Sequence, residues 1–146
     1  MALFLLGAAP AGAQAQPLAV EMITIVTASG PQALEVEVAD TNASRERGLM
    51  FRRAMPQNHG MIFLFGAERT ITMWMRNTYL PLDMIFVRAD GSIAHIASNT
   101  EPFSEDVISS GSPVSVVIEV NGGAAGKLGI KPGDRVETPL LKRAVR

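Results

Sequence analysis

Trp74, Arg76, Asn77 and Thr78 crowd into one short stretch, and Asp83 follows soon after. An indole platform, a guanidinium, an amide and a hydroxyl at the end of a strand suit a sugar or a small carboxylate. The ring supplies apolar area, the guanidinium grips an anion in two places, and the amide and hydroxyl fix orientation. Two distant residues join them. Glu119 sits in SVVIEVN, where Val114, Val116, Ile118 and Val120 alternate as a buried face. That alternation places Glu119 with Ser115, Val117 and Asn121 on the opposite side. If a further layer covers that side, Glu119 needs a cation, and Arg47 or Arg76 is the candidate. The candidate ligand-binding set is therefore Trp74, Arg76, Asn77, Thr78, Asp83, Arg47 and Glu119.

Register makes the expectation specific. With Thr70–Arg76 and Asp83–Val87 as antiparallel neighbours, Arg76 faces Asp83 and Trp74 faces Ile85. Met75 then meets Met84, and Met73 meets Phe86, on the other side. A slip of one residue would set Arg76 against Leu82 and bury an unpaired charge, at a cost of several kcal/mol. A purely structural account competes with the pocket: Arg76 and Asp83 satisfy each other, and Trp74 covers a core edge.

Two other chemistries use residues of the same region. Asp83 and Glu119 could serve as the carboxylates of a hydrolase acting on an envelope polymer, with His59 as a further acid–base candidate. Met73, Met75 and His59 invite a copper(I) site of thioether and imidazole ligands. Against copper, Met-Xaa-Met occurs once, and methionine readily fills irregular cores. His59 and His95 lack ligand-spaced partners, so no zinc site is expected. There is no P-loop, no G-x-G-x-x-G, no G-x-S-x-G and no cysteine nucleophile, and no cofactor is expected.

The elements that must position these residues read mostly as strands. MITIVT, the turn Ser29-Gly30-Pro31 and LEVEV form a hairpin with Leu34, Val36 and Val38 inward. MIFLF (61–65) and LDMIFV (82–87) are apolar on both faces and so central. Ala89-Asp90-Gly91 turns into Ser92–Ala97. Thr41-Asn42 caps a short helix in ASRERGLMF with Leu49 and Met50 as its apolar anchors, and a second runs from Gly123 to Leu128 with Gly129 beyond its end. Lys131-Pro132-Gly133-Asp134 turns into a last strand, Arg135–Thr138. Asn99–Pro113 reads as the longest loop and a candidate ligand contact. About eight strands and two short helices predict a mainly β domain, a β-sandwich or partly open barrel.

Composition bounds the partners. The 13 Lys and Arg against 14 Asp and Glu leave a net charge of −1, and basic runs do not exceed two residues, which argues against nucleic acid. With no cysteine, stability rests on burial, and thiol chemistry is excluded. The opening MALFLLGAAPAGAQAQPL joins an apolar run to the triplet Ala13-Gln14-Ala15, which suits signal-peptide cleavage after Ala15. The apolar run is far short of the roughly 20 residues of a membrane span. The expectation is an exported protein, periplasmic or extracellular, with residues 1–15 as signal peptide and 16–146 as one domain.

The segments RERGLMFR, HGMIFLF, MWMRNTYLPLDMIFV, SSGSPVSVVIEV and GIKPGDRV, in that order from about Val36 to Val136, resemble the blocks of the Domain of Unknown Function 192 family. The matching positions are Arg47, Gly48, Leu49, Met50, Met61, Trp74, Met75, Asn77, Thr78, Pro81, Asp83, Glu119, Gly133 and Asp134. The resemblance implies a small, often exported, β-rich domain and carries no reaction or catalytic residues with it. Together with the residues, it leads to an expected small binding module for a polar ligand or envelope component. Intact-mass measurement of the protein recovered from the cell envelope is expected to give a chain beginning at Gln16. A mass retaining residues 2–15 would contradict cleavage.

Overall fold

The structure is a computed structural model that describes residues 17–144; the expected signal segment lies outside the described residues. Seven strands form one sheet: β1 (Val20–Thr27), β2 (Gly30–Ala39), β3 (His59–Met73), β4 (Leu82–Val87), β5 (Ile93–Thr100), β6 (Ile108–Asn121) and β7 (Arg135–Glu137). Their spatial order is β5-β4-β6-β3-β2-β1-β7. All pairings are antiparallel except β2 with β3, which are parallel and linked through helix α1 (Asn42–Arg47). The second helix, α2 (Ala124–Lys127), and a 3-10 turn at Pro139–Lys142 follow β6 and β7. The sheet curls into a half-barrel, and its edges meet at a bridge between Ser92 and Arg135. The mainly β expectation holds in its partly open barrel form, with seven strands rather than about eight.

Alternation sorts the side chains into two cores. On the inner face, Ile23, Ile25, Leu34, Val36, Ile62, Ile85, Val116 and Ile118 pack with Ala124, Ala125 and Leu140 from the closing segments. On the outer face, Met61, Phe63, Met84, Phe86 and Val117 pack with Leu49 and Met75. Every residue of β4 is buried, as expected of a strand covered on both faces.

Helix α1 begins as the sequence predicts. The Thr41 side chain accepts from the Ser44 N–H at 3.0 Å, and Ser44 Oγ accepts from the Thr41 N–H at 2.9 Å, a reciprocal capping box. It ends at Gly48, with φ of 47°, where an added Cβ would come within 3.3 Å of the Phe63 ring. Glycine therefore both makes the turn and lets the helix end settle on the outer face.

The expected register between Thr70–Arg76 and Asp83–Val87 does not occur. Strand β6 lies between β3 and β4, so Glu119 stands level with Met61 on one side and Met84 on the other, and Asp83 stands level with Val120. Chain neighbours need not be sheet neighbours, and the long return of β6 takes the central place. Asp83 thus points to the inner face. Its carboxylate is buried and accepts from the backbone N–H groups of Asn99 at 2.8 Å, Gly123 at 3.1 Å and Ala125 at 2.9 Å. It ties β4 to the end of β5 and to the first turn of α2. The expected loop at 99–113 also shrinks: β5 continues to Thr100 and β6 starts at Ile108, leaving only 101–107 between them. The polar stretch ISSGSP pairs with the far end of β3, with a register shift, and Ser110 Oγ accepts from the Ile71 N–H at 3.0 Å.

Removing the Asp83 carboxylate strands three donors in a buried place. Asp83→Ala should therefore destabilise by about 3–5 kcal/mol in urea unfolding, and Asp83→Asn, which keeps one accepting oxygen, by less. Because Arg76 does not touch Asp83, the losses in an Arg76→Met/Asp83→Ala double variant should add. A coupling energy above about 1 kcal/mol would contradict this placement.

Candidate functional site

On the outer face, Arg47, Trp74, Arg76, Thr78 and Glu119 come together around one cavity of about 240 Å³. Asn77 lines the adjoining depression with Trp74, Arg76, Arg47 and Met50. Six of the seven residues read from the sequence therefore gather in one place, and Asp83 lies on the other side of the sheet. The supposed carboxylate pair is separated by the sheet itself, because Asp83 and Glu119 occupy opposite phases of the strand alternation.

Glu119 forms part of the cavity floor. It is only 4% exposed, and no hydrogen bond among the described residues holds its carboxyl. Among the described residues no cation lies within 4.0 Å of it, so neither Arg47 nor Arg76 supplies the ion pair expected from the sequence. Burial pushes its pKa up to about 8, with no contribution from a neighbouring charge. At neutral pH the group is a carboxylic acid facing a space. Its sheet neighbours Met61 and Met84 bring no polar atoms beyond their sulfurs. Close by, Gly60 allows β3 to pack against β6, because a Cβ there would lie 2.3 Å from the Glu119 carbonyl oxygen.

The rim is mostly of the opposite charge, with three guanidiniums beside the one carboxylate of Glu46. Arg76 lies over the Trp74 ring at 5.2 Å, Arg47 over Phe51 at 5.8 Å and Arg45 over Phe65 at 5.7 Å. Each guanidinium thus rests on an aromatic face, which restrains it while leaving hydrogen-bonding edges available. Arg45 also donates to the Leu64 carbonyl at 2.7 Å and to Asn42 Oδ1 at 2.6 Å, so it is more firmly held than the other two. Arg76 has only an exposed contact with Glu105, at 3.8 Å. Trp74 is 42% exposed.

The expected strand does not reach Arg76: β3 ends at Met73, and Met75–Thr78 is a turn closed by the Thr78 N–H donating to the Met75 carbonyl at 3.1 Å. Asn77 adopts a φ of 53°, a conformation that asparagine tolerates better than most residues. Other loops hold the turn. The Phe51 N–H donates to the Asn77 carbonyl at 2.9 Å, the Phe103 N–H to the Thr78 carbonyl at 3.1 Å, and the Met75 N–H to the Ser104 carbonyl at 2.8 Å. Phe51 and Phe103 themselves have φ of 67° and 65°. Three non-glycine residues of positive φ in one hydrogen-bonded assembly mark stored backbone strain beside a cavity. Thr78 is buried and donates to the Arg76 carbonyl at 3.0 Å, leaving its oxygen free to accept.

The residues of the copper reading do not converge. Met75 is fully buried with its sulfur 3.2 Å from the Thr100 hydroxyl, and Met73 is half-buried beside the same core. His59 lies at the opposite end of the 15-residue β3, 3.3 Å from Glu35. Sequence reasoning missed Arg45, Met50, Thr72 and the two phenylalanines Phe63 and Phe65, which also line the cavity. Arg45 and Met50 are placed by α1 and the turn after it, a six-residue helix with little periodicity to read, and Phe63, Phe65 and Thr72 by the outer face of β3. A roomier groove of about 640 Å³ runs between residues 17–19 and α1, but among its charges Arg52 pairs with Glu37 and Arg143 with Asp40 at 2.6 Å. The smaller cavity is the stronger candidate, because its buried acid has no partner.

The raised pKa of Glu119 sets a pH dependence. The unfolded chain ionises this carboxyl near 4.5, whereas the folded chain holds the proton to about 8. Stability from this group is therefore greatest below about 4.5, falls as pH rises to about 8, and is level beyond, a total of the order of 3–5 kcal/mol. Glu119→Gln should flatten the urea-measured stability over that window and exceed the wild type at pH 8. Equal slopes in the two proteins would show that the carboxyl is already ionised in the folded state.

No curated protein matches the chain. Two solved structures are similar to it over most of its length. A Sinorhizobium meliloti protein, provisionally described as a transcription regulator, is 48% identical, with a TM-score of 0.82 over 85% of this chain and 97% of its own. A Novosphingobium aromaticivorans protein of unknown function is 40% identical, with a TM-score of 0.81 over 90% of this chain and 99% of its own. The family model DUF192, described as an uncharacterized ACR, matches residues 24–138. The match spans most of the described residues, and the chain belongs to the Domain of Unknown Function 192 family.

Proposed function

We propose that this protein is an exported binding module for a small polar molecule bearing a carboxylate, a free organic acid or an acidic sugar, held in the outer-face cavity. The carrying observation is the convergence of Arg47, Trp74, Arg76, Thr78 and Glu119 on one space from three separate stretches of chain. Two exposed guanidiniums resting on aromatic rings supply an anion-binding rim. Trp74 offers an apolar face, and Thr78 a fixed acceptor. The cavity of about 240 Å³ suits a ligand smaller than a typical drug, whose pockets start near 300 Å³. Export is supported by the apolar run and the Ala13-Gln14-Ala15 triplet. The regulatory description of the Sinorhizobium protein is not carried over, because a net charge of −1 offers little general attraction to DNA.

A thermal-shift screen against small carboxylates, uronic acids, neutral sugars and peptidoglycan fragments tests the reading. A ligand at about 100 times its Kd should add roughly 2.7 kcal/mol to the stability. The shift should appear with acidic ligands and vanish in Trp74→Ala and Arg76→Ala. Shifts that persist in both of the first two variants would place the ligand elsewhere.

A further inference from the structure

We propose that Glu119 is the deep anchor for a ligand's ammonium group, so that the cavity selects small amino-carboxylates with the amine on Glu119 and the carboxylate on the rim of Arg47 and Arg76. The inference rests on the binding reading above and narrows it to one ligand class. Its geometric basis is the two-ended polarity of the cavity. A single buried acid without a partner lies at the floor, between Met61 and Met84, and guanidiniums lie at the mouth, beyond ion-pair distance from it.

Apart from the Thr78 hydroxyl, the shortage of buried polar groups beside Glu119 decides between an amine and a ring of hydroxyls. Leu49, Met61, Phe63 and Met84 surround Glu119 with apolar surface. A sugar ring pressed against that surface would lose the hydration of several hydroxyls and regain few hydrogen bonds. A primary ammonium concentrates its polarity at one point and meets an ionised carboxylate in a charge-assisted bond. The charged groups that share the cavity with Glu119 are Arg45, Glu46 and Arg47 from α1 and Arg76 from the turn after β3. The neighbouring positions on β3 and β4 contribute methionines only.

Binding then moves a proton in a defined direction. The free acid, which burial holds protonated to about pH 8, loses its proton to the buffer as the ammonium arrives, and the complex holds an ammonium–carboxylate pair. At pH 7 most of one proton should be released per ligand, and the release should fall away as the pH rises through about 8.

The test is titration calorimetry on protein produced from the whole chain. The probes are glycine, alanine, β-alanine, γ-aminobutyrate and δ-aminovalerate, together with the matching acids lacking the amine and the matching amines lacking the carboxylate. The chain-length series serves as a ruler for the gap between acid and rim. At least one amino acid should bind about tenfold more tightly than both of its truncated counterparts. Its observed enthalpy at pH 7 should vary with buffer ionisation enthalpy by the stated proton release. Glu119→Gln should abolish the release and reduce the amino acid to the affinity of its deaminated acid, whereas Arg76→Ala should weaken both. Acids that bind as tightly as amino acids, with no buffer dependence in the wild type, would overturn the ammonium anchor and leave the cavity reading standing. Failure of every carboxylate to bind would overturn both.

Discussion

Strand β6 imposes the constraint on which the rest of the molecule depends. It lies between β3 and β4, and its alternation divides the domain: Val116, Ile118 and Val120 serve the inner core, while Val117 and Glu119 face outward. A strand covered on both sides is normally apolar throughout. Glu119 breaks that rule at the centre of the sheet, and an apolar residue of similar size would remove the cost of burying a carboxyl. The same alternation on β4 sends Asp83 inward, where three backbone donors saturate it. Two carboxylates on adjacent strands thus have opposite fates. One is consumed by the fold, and the other is left open to a space.

The local elements were legible because their signals are local. LEVEV alternates, Thr41 caps a helix, and Ala89-Asp90-Gly91 is a turn; each appears where the residues place it. The members of the site were also legible, since unusual polar and aromatic types clustered in one segment and Glu119 interrupted an apolar strand. Their arrangement was not. Arg76 can face Asp83 only if consecutive strands are neighbours, and nothing in either segment reports that β6 intervenes. The ribbon formed by the far end of β3 and the start of β6 was hidden for a different reason. Residues 66–70 are largely exposed, so no buried face imposes an apolar period of two.

The site is stiff by construction. Trp74 and Arg76 belong to an irregular segment, yet its backbone is bonded to Phe51, Phe103 and Ser104, and Tyr79 packs edge-on against Phe103 at 4.6 Å. Left-handed conformations at two phenylalanines cost of the order of 1–2 kcal/mol each. Such strain persists where surrounding contacts over-determine the backbone, and it keeps the rim in one arrangement before any ligand arrives.

The meeting of the sheet edges at Ser92 and Arg135 bears on how the protein behaves in a crowd. An open sheet offers two rows of unpaired backbone groups that another chain can extend. Here β7 is only three residues long, and backbone bonds from Ile93 to Asp134 and from Val136 to Gly91 draw the start of β5 against it. Each margin of the half-barrel partly shields the other. For a cysteine-free chain that is 47% hydrophobic, this curling is a defence against polymerisation as well as a way of enclosing a core.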